Sequence, residues 1–429
     1  GALVLSLQAA PRDPFKQIDD LLPTPDEQRR ASGAPGPEYW QQRADYLIDV
    51  ELDEAKHRII GSEKITYHNN SKDTLDYLWV QLDQNLFDPK MIAAQSRTTS
   101  GLSGLSFNNF EGLLQAQKFD GGYKITAVKD VSGKPLKHVI VQTMMRIIPP
   151  SPLKPGQKIT FSVDWNFKIV DATKMRARMG YEYFKDDKNH LYALAQWFPR
   201  MCAYTDVTGW QNKQYLGTGE FALEFGNYVV RITAPADHIV ASTGELQNPD
   251  KVLTKKQRER YAQARNSKKP VFIVNLEEAK ANEKEKAKGK KTWVYKADNV
   301  RDFAFTSSRK YIMDAQAVKF PKGDVMAISI YPKEGNPLWE EYSTKAVVQT
   351  LESYSRMTFD YPYPKAISVH GKNQGMEYPM ICWNYGRPNE DGSYSDRTKF
   401  GMISVIIHEV GHNFFPMIVN SDERQWGWM

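Results

Sequence analysis

The sequence predicts a β-rich N-terminal domain followed by an α+β domain. Three observations carry this prediction. Period-two hydrophobicity dominates residues 45–250. From about residue 315, strand-like text alternates with helical spacing. The last long apolar segment, 398–415, is a helix that contains His408-Glu409-Val410-Gly411-His412.

At 429 residues the chain exceeds one ordinary core, so two or three domains are expected. The spans read from the pattern are a tail over 1–40, a sheet domain over 41–315 and an α+β domain over 316–429. A hydrophobic content of 41% with 25% charged residues describes a folded chain rather than a disordered one. Basic and acidic residues nearly balance, 57 against 51, which argues against a nucleic-acid partner. Two cysteines, Cys202 and Cys382, make no disulfide framework, although one bridge between them is open. No apolar run reaches the roughly 20 residues that span a bilayer, so no transmembrane segment is expected. The opening "GALVLSLQAAPRDPF" resembles the tail of a secretory signal, which points to a periplasmic or secreted protein, with a cytoplasmic one as the alternative. Nothing in the pattern marks an oligomeric state.

In "YLIDVELD" (46–53), Ile48, Val50 and Leu52 alternate with Leu47, Asp49 and Glu51; in "LDYLWVQLD" (75–83), Leu78, Val80 and Leu82 share a face. Turn clusters "HNNSKD" (68–73) and "VSGKP" (131–135) punctuate the strands, and 228–246 reads as two strands joined around Pro235. Residues 247–291 break the pattern with a short exposed helix (254–265) and a Lys/Glu-dense run (277–291). Interspersed signs favour a solvated insertion over a binding tail. Strands return at 325–332 and 365–371, separated by a helix over 343–357 with Ser343 as its cap.

On a helix, positions i and i+4 lie on one face, so His408 and His412 can aim ring nitrogens at one zinc ion. Zinc accepts neutral imidazole in a tetrahedral shell and lowers the pKa of water toward about 7. Glu409, offset from the ligands, is placed to act as general base and to return the proton to the leaving amine. Because Ile403, Ile406, Ile407 and Val410 surround the motif, the helix is expected to be buried, with its polar groups partnered. The remaining histidines, His57, His68, His138, His190, His238 and His370, lack ligand spacing.

About thirty residues upstream, "NQGMEYP" (373–379) follows a predicted strand; Gly375 allows close backbone approach and Glu377 offers a carboxylate. Together with HEVGH this resembles the M1 family of zinc aminopeptidases, whose signature is G-x-M-E-N before HExxH and a Glu after eighteen further residues. "ALAQWFPRMCAYTDVTGW" (193–210), 231–246 and 299–308 also resemble family segments, so the likeness runs from about residue 40 to the end. It implies a saddle-like β-domain leading into a thermolysin-like catalytic domain that is incomplete at its C-terminal end. It further implies His408 and His412 as ligands of one zinc ion, Glu409 as general base and Glu377 as the clamp for a substrate's free α-amine. Gly375 and Met376 would contact the peptide through their backbone, and Gln196 would lie near the first side-chain pocket. The substrates implied are peptides with a free N-terminus, held so that the first bond meets the metal.

Two departures stand out: Gln374 replaces the usual Gly, and Tyr378 replaces the usual Asn. The eighteen-residue spacing places the third ligand at position 431, beyond Met429, so this chain alone is expected to be inactive or impaired. Asp422 and Glu423 could substitute only if the chain doubled back tightly. The alternatives are a non-catalytic peptide-binding or scaffold member of the same fold, and an HExxH endopeptidase of another type.

Overall fold

A computed structural model describes residues 25–91, 118–175, 177–219, 222–284, 286–372 and 375–425, with Phe107 and Leu114. The signal-like N-terminal stretch and Gln374 lie outside the described residues.

The chain is β-rich. Most of the first 300 residues are organised by a seven-stranded sheet in the spatial order Glu245–Leu246, Lys290–Val300, Gly226–Pro235, Arg43–Asp53, Arg58–His68, Lys158–Lys168, Lys124–Asp130. Alternation decides its faces: Ala44, Tyr46, Ile48, Val50 and Leu52 are buried, while their neighbours are half-buried or exposed. Arg43–Asp53 pairs antiparallel with Arg58–His68 but parallel with Gly226–Pro235, Tyr46 lying opposite Tyr228. Two four-stranded sheets, one built on Leu78–Gln81 and one on Asn189–Leu194, and a two-stranded ribbon of Tyr204–Thr205 with Gly209–Trp210 accompany this sheet.

The second half is built on a six-stranded sheet ordered Val271–Val274, Tyr311–Phe320, Gly323–Pro332, Lys365–His370, Ile381–Asn384, Met376–Tyr378. Gly323–Pro332 and Lys365–His370 are parallel, joined by the helix Leu338–Met357. A tight hairpin then makes Met376–Tyr378 the edge strand, with Glu377 opposite Cys382. Within 247–291, the strand Val271–Val274 pairs with Tyr311–Phe320, so this stretch supplies one edge of the sheet.

The helix Leu338–Met357 begins five residues before the expected cap. Ser343 is interior and fully buried, and it caps nothing. Its hydroxyl accepts from Ser329 Oγ (2.7 Å) and donates to Ser368 Oγ (3.3 Å) across the helix–sheet interface. Thr344 extends this polar seam to Ser329 and to Asp314 Oδ1. On the same helix, Val347 and Leu351 are fully buried. Side chains of that kind contribute about 1.5–3 kcal/mol each when removed from water.

Cys202 and Cys382 are both buried free thiols, so the open possibility of a bridge is not realised. Among the described residues, no helix is long and apolar enough to cross a membrane.

Candidate metal centre

The helix Asp396–Gly411 starts at Ser395, whose hydroxyl accepts from the Thr398 N–H at 3.1 Å, and carries Asp396 in its first turn. Met402, Ile406, Glu409, Val410 and Gly411 form its buried face. Gly411 lies where this helix meets Leu338–Met357: a Cβ there would come within 2.9 Å of the Tyr354 ring. The second variable position of the motif is thus filled by a residue without a side chain because two helices meet at that point.

The expectation of a buried helix holds for one face only. The His408 side chain is 66% exposed, because the apolar stripe at Met402, Ile406 and Val410 points away from it. His408 therefore faces solvent across an open site, and burial cannot be the reason it needs a partner.

The two ring nitrogens do converge. Nε2 of His408 and Nε2 of His412 stand 3.0 Å apart. His412 Nδ1 lies 3.0 Å from the Phe415 carbonyl, and since a carbonyl only accepts, that nitrogen carries the proton. Nε2 of His412 is then a lone pair pointing at its partner. A tetrahedral zinc with Zn–N bonds of about 2.0–2.1 Å sets neighbouring donors roughly 3.3 Å apart, so the pair fits such an ion. A backbone carbonyl behind a ligand imidazole is the usual device for fixing its tautomer. Glu409 Oε1 lies 4.0 Å from His408 Nε2 on a side chain that is 5% exposed. These three residues form a group whose ligand-type atoms lie within 4.8 Å of one another.

The two sequence motifs meet here. A Cβ on Gly375 would sit 2.9 Å from Glu409 Oε1, and Gly375 has φ +73°, where glycine is favoured. Asn413, the residue after the motif, accepts the Met380 N–H on its Oδ1 at 2.8 Å and so pins the hairpin turn to the end of the helix. The hairpin is held from the other side by Thr243, whose hydroxyl donates to the Pro379 carbonyl at 2.8 Å. Met376 and Glu377 are buried on the edge strand. The Cys382 thiol between these elements is pushed far up, first by burial and then by the charges of Glu409 and Glu377.

Gln196 lies in the connection that follows Asn189–Leu194 and joins this assembly through Tyr378. Its backbone N–H donates to the Tyr378 hydroxyl at 2.7 Å, and its carbonyl accepts from the Tyr123 hydroxyl at 3.2 Å. Sequence reasoning missed Tyr123, Asn413 and the Phe415 carbonyl. Only Asn413 had a local signal, its place directly after the motif. Asp422 and Glu423 are not in the histidine group.

A second group of metal-ligand type, Asp187, Glu283 and Glu334, also lies within 4.8 Å. Cations already fill it. Lys310 Nζ, fully buried, reaches Glu283 at 2.8 Å, Glu334 at 3.0 Å and Asp187, and Lys333 Nζ reaches Asp187 at 2.9 Å and Glu283. Burial opposes ionisation of Asp187, but the two ammonium groups hold its carboxyl below the ordinary range.

No protein-family model and no curated protein matches the chain. Its structural neighbours are M1 zinc metallopeptidases. The M1 zinc metallopeptidase from Deinococcus radiodurans is 12% identical, with a TM-score of 0.49 over 88% of this chain and 65% of that one. A two-domain M1 zinc metallopeptidase mutant bound to L-tryptophan is 11% identical, with a TM-score of 0.48 over 90% of this chain and 67% of that one. A mutant from Deinococcus radiodurans bound to a Tyr-Ser-Ala substrate is 11% identical, with a TM-score of 0.47 over 88% of this chain and 66% of that one. The chain thus spans about two thirds of the length of these neighbours.

Proposed function

We propose that this chain carries the zinc-binding half of an M1-like aminopeptidase that removes N-terminal residues from peptides, acting in the cell envelope or outside the cell. The carrying observation is the convergence of the His408 and His412 Nε2 atoms to 3.0 Å, with the His412 tautomer set by the Phe415 carbonyl and with Glu409 alongside. His408 and His412 would hold one zinc ion, and the family spacing puts its third protein ligand at position 431. Bound zinc supplies Lewis-acid polarisation of a carbonyl and acidifies water.

The chain's own residues do the rest. Glu409, mostly buried but open toward His408, takes a proton on Oε1 and returns it to the departing amine. Gly375, favoured by its φ of +73° and without a Cβ to crowd Glu409 Oε1, leaves room for a peptide backbone to approach that carboxylate. Glu377, on the edge strand, pairs with the substrate's α-ammonium, and the free edge of Met376–Tyr378 offers backbone groups to an extended peptide. Gln196 offers an amide from the sheet domain.

The test uses the full-length protein. Peptides with a free N-terminus should be cleaved and their N-acetylated counterparts should not. Glu409→Gln should retain stoichiometric zinc while losing about 10²–10⁴ in kcat. Equal cleavage of blocked and free peptides would remove the role of Glu377 and revive the endopeptidase reading.

A further inference from the structure

Tyr378 stands where Asn is usual in the resembled family, and its contacts give it a task. Gln196 has φ +52°, a left-handed conformation uncommon for a residue with a Cβ, and it is 5% exposed. Both faces of its backbone are held by phenol hydroxyls. The Tyr378 hydroxyl accepts the N–H at 2.7 Å, and the Tyr123 hydroxyl donates to the C=O at 3.2 Å. The two tyrosines come from distant parts of the chain. Tyr123 precedes the strand Lys124–Asp130 of the seven-stranded sheet, and Tyr378 ends the edge strand that carries Glu377. Tyr378 is 1% exposed and packs edge-on against Trp383 at 6.1 Å, so its hydroxyl has one fixed position.

The Gln196 side chain is the complement. Its Nε2 is buried and has no hydrogen-bond partner among the described residues. A buried donor of this kind is costly unless a ligand completes it. A backbone conformation that would otherwise relax is held at both ends, and the held residue carries an unspent amide. Backbone strain of this type is kept only where the surroundings over-determine it.

We propose that Tyr378 is a positioning residue: its hydroxyl, opposed by that of Tyr123, locks Gln196 in the left-handed conformation that presents its side-chain amide to a carbonyl oxygen of the bound peptide. Asn could not do this from the same place. Its side chain ends three atoms from the backbone, whereas the phenol reaches across to the neighbouring domain. The edge strand that carries the amine-binding carboxylate and the loop that carries the amide are thereby registered by one hydrogen bond. The inference rests on the aminopeptidase reading for the identity of the ligand, but the lock itself does not depend on it.

Two measurements on the full-length, zinc-loaded protein separate these. Hydrogen–deuterium exchange over the peptide containing Gln196 reads the lock directly and needs no activity. Tyr378→Phe should speed exchange there while leaving the helix Leu338–Met357 protected as in the wild type. In steady-state cleavage of a free-N-terminus peptide, Tyr378→Phe should raise KM about tenfold with kcat within about threefold. The same substitution placed on Gln196→Gly, which tolerates the positive φ, should have no further effect on KM. Unchanged exchange at Gln196 in Tyr378→Phe, or a KM effect that adds fully to that of Gln196→Gly, overturns the proposal. Should Tyr378→Phe fail to fold, Tyr123→Phe makes the same test from the carbonyl side. A protein that cleaves neither free nor blocked peptides defeats the aminopeptidase reading; faster exchange at Gln196 in the same sample still upholds the lock, and unchanged exchange overturns it.

Discussion

Among the described residues, two clusters bring ligand-type atoms as close together as a cation site would, and they are built oppositely. Asp187, Glu283 and Glu334 converge around ammonium nitrogens that belong to the chain, Lys310 being fully buried among them. His408 and His412 converge on one another, with one imidazole tautomer fixed and one side chain mostly exposed. Carboxylates attract lysine, so an acidic cluster is readily closed by the protein itself. Imidazole nitrogens offer lone pairs that a metal can take, and an open face lets the metal arrive. The difference teaches that proximity of ligand-type atoms is a weak signal, and that what already neutralises them is the stronger one.

Removing the internal cation should have the largest effect. Lys310→Met leaves three carboxylates facing one another, only Lys333 remaining, and should cost about 3–5 kcal/mol, read as a lowered urea midpoint. Survival of that substitution with an unchanged midpoint would mean that the acidic cluster is an open site after all.

A third way to neutralise a buried carboxylate sharpens the comparison. Asp314 accepts from Thr344 and from the Tyr331 hydroxyl. Burial, opposed by these two hydroxyls, pushes its carboxyl from 3.8 up to about 7. The folded state therefore holds a proton that the unfolded chain loses near pH 4. This contribution to stability is complete below the unfolded value of 3.8 and is lost as pH rises through about 7. Denaturant titrations from pH 4 to 8 should show this decline, and Asp314→Asn should flatten it.

Adding zinc probes the open cluster. At a hundredfold excess over Kd, one bound ion should stabilise the protein by about 2.7 kcal/mol, visible as a rise in melting temperature that EDTA reverses. His412→Ala should abolish that rise. The smallest effect belongs to His408→Ala without metal: with a side chain 66% exposed, it should shift stability by no more than about 0.5 kcal/mol. A large loss there would mean that the pair is a structural hydrogen bond rather than a pair of metal ligands.

Much of this was legible in the chain itself. The alternation over Tyr46–Leu52 placed the buried face correctly, and the spacing of His408 and His412 brought their nitrogens together as helical geometry requires. What was not legible depended on distant partners. Ser343 looks like a cap because caps are local, yet it bonds Ser329 and Ser368, residues that only the folded sheet brings to it. The apolar run around His408 suggested all-round burial, whereas only the stripe at Met402, Ile406 and Val410 meets the core. Tyr378 looked like a mere substitution in a motif, because Gln196 is 182 residues away in the chain.

The parallel pairing of Arg43–Asp53 with Gly226–Pro235 has a consequence for how the protein is made. Arg43–Asp53 is the central strand of the seven, and the ribosome adds roughly 5–20 residues per second. Its second partner therefore emerges on the order of 10–40 s after it does. The strands Arg58–His68, Lys124–Asp130 and Lys158–Lys168 can pair on one side during that wait. The other side, Tyr46 to Glu51, stays an unpaired edge until Tyr228–Thr233 is available. A nascent chain stalled before residue 226 would thus present a ready template for other strands, so translation speed and chaperone cover over this interval should govern the yield of soluble protein.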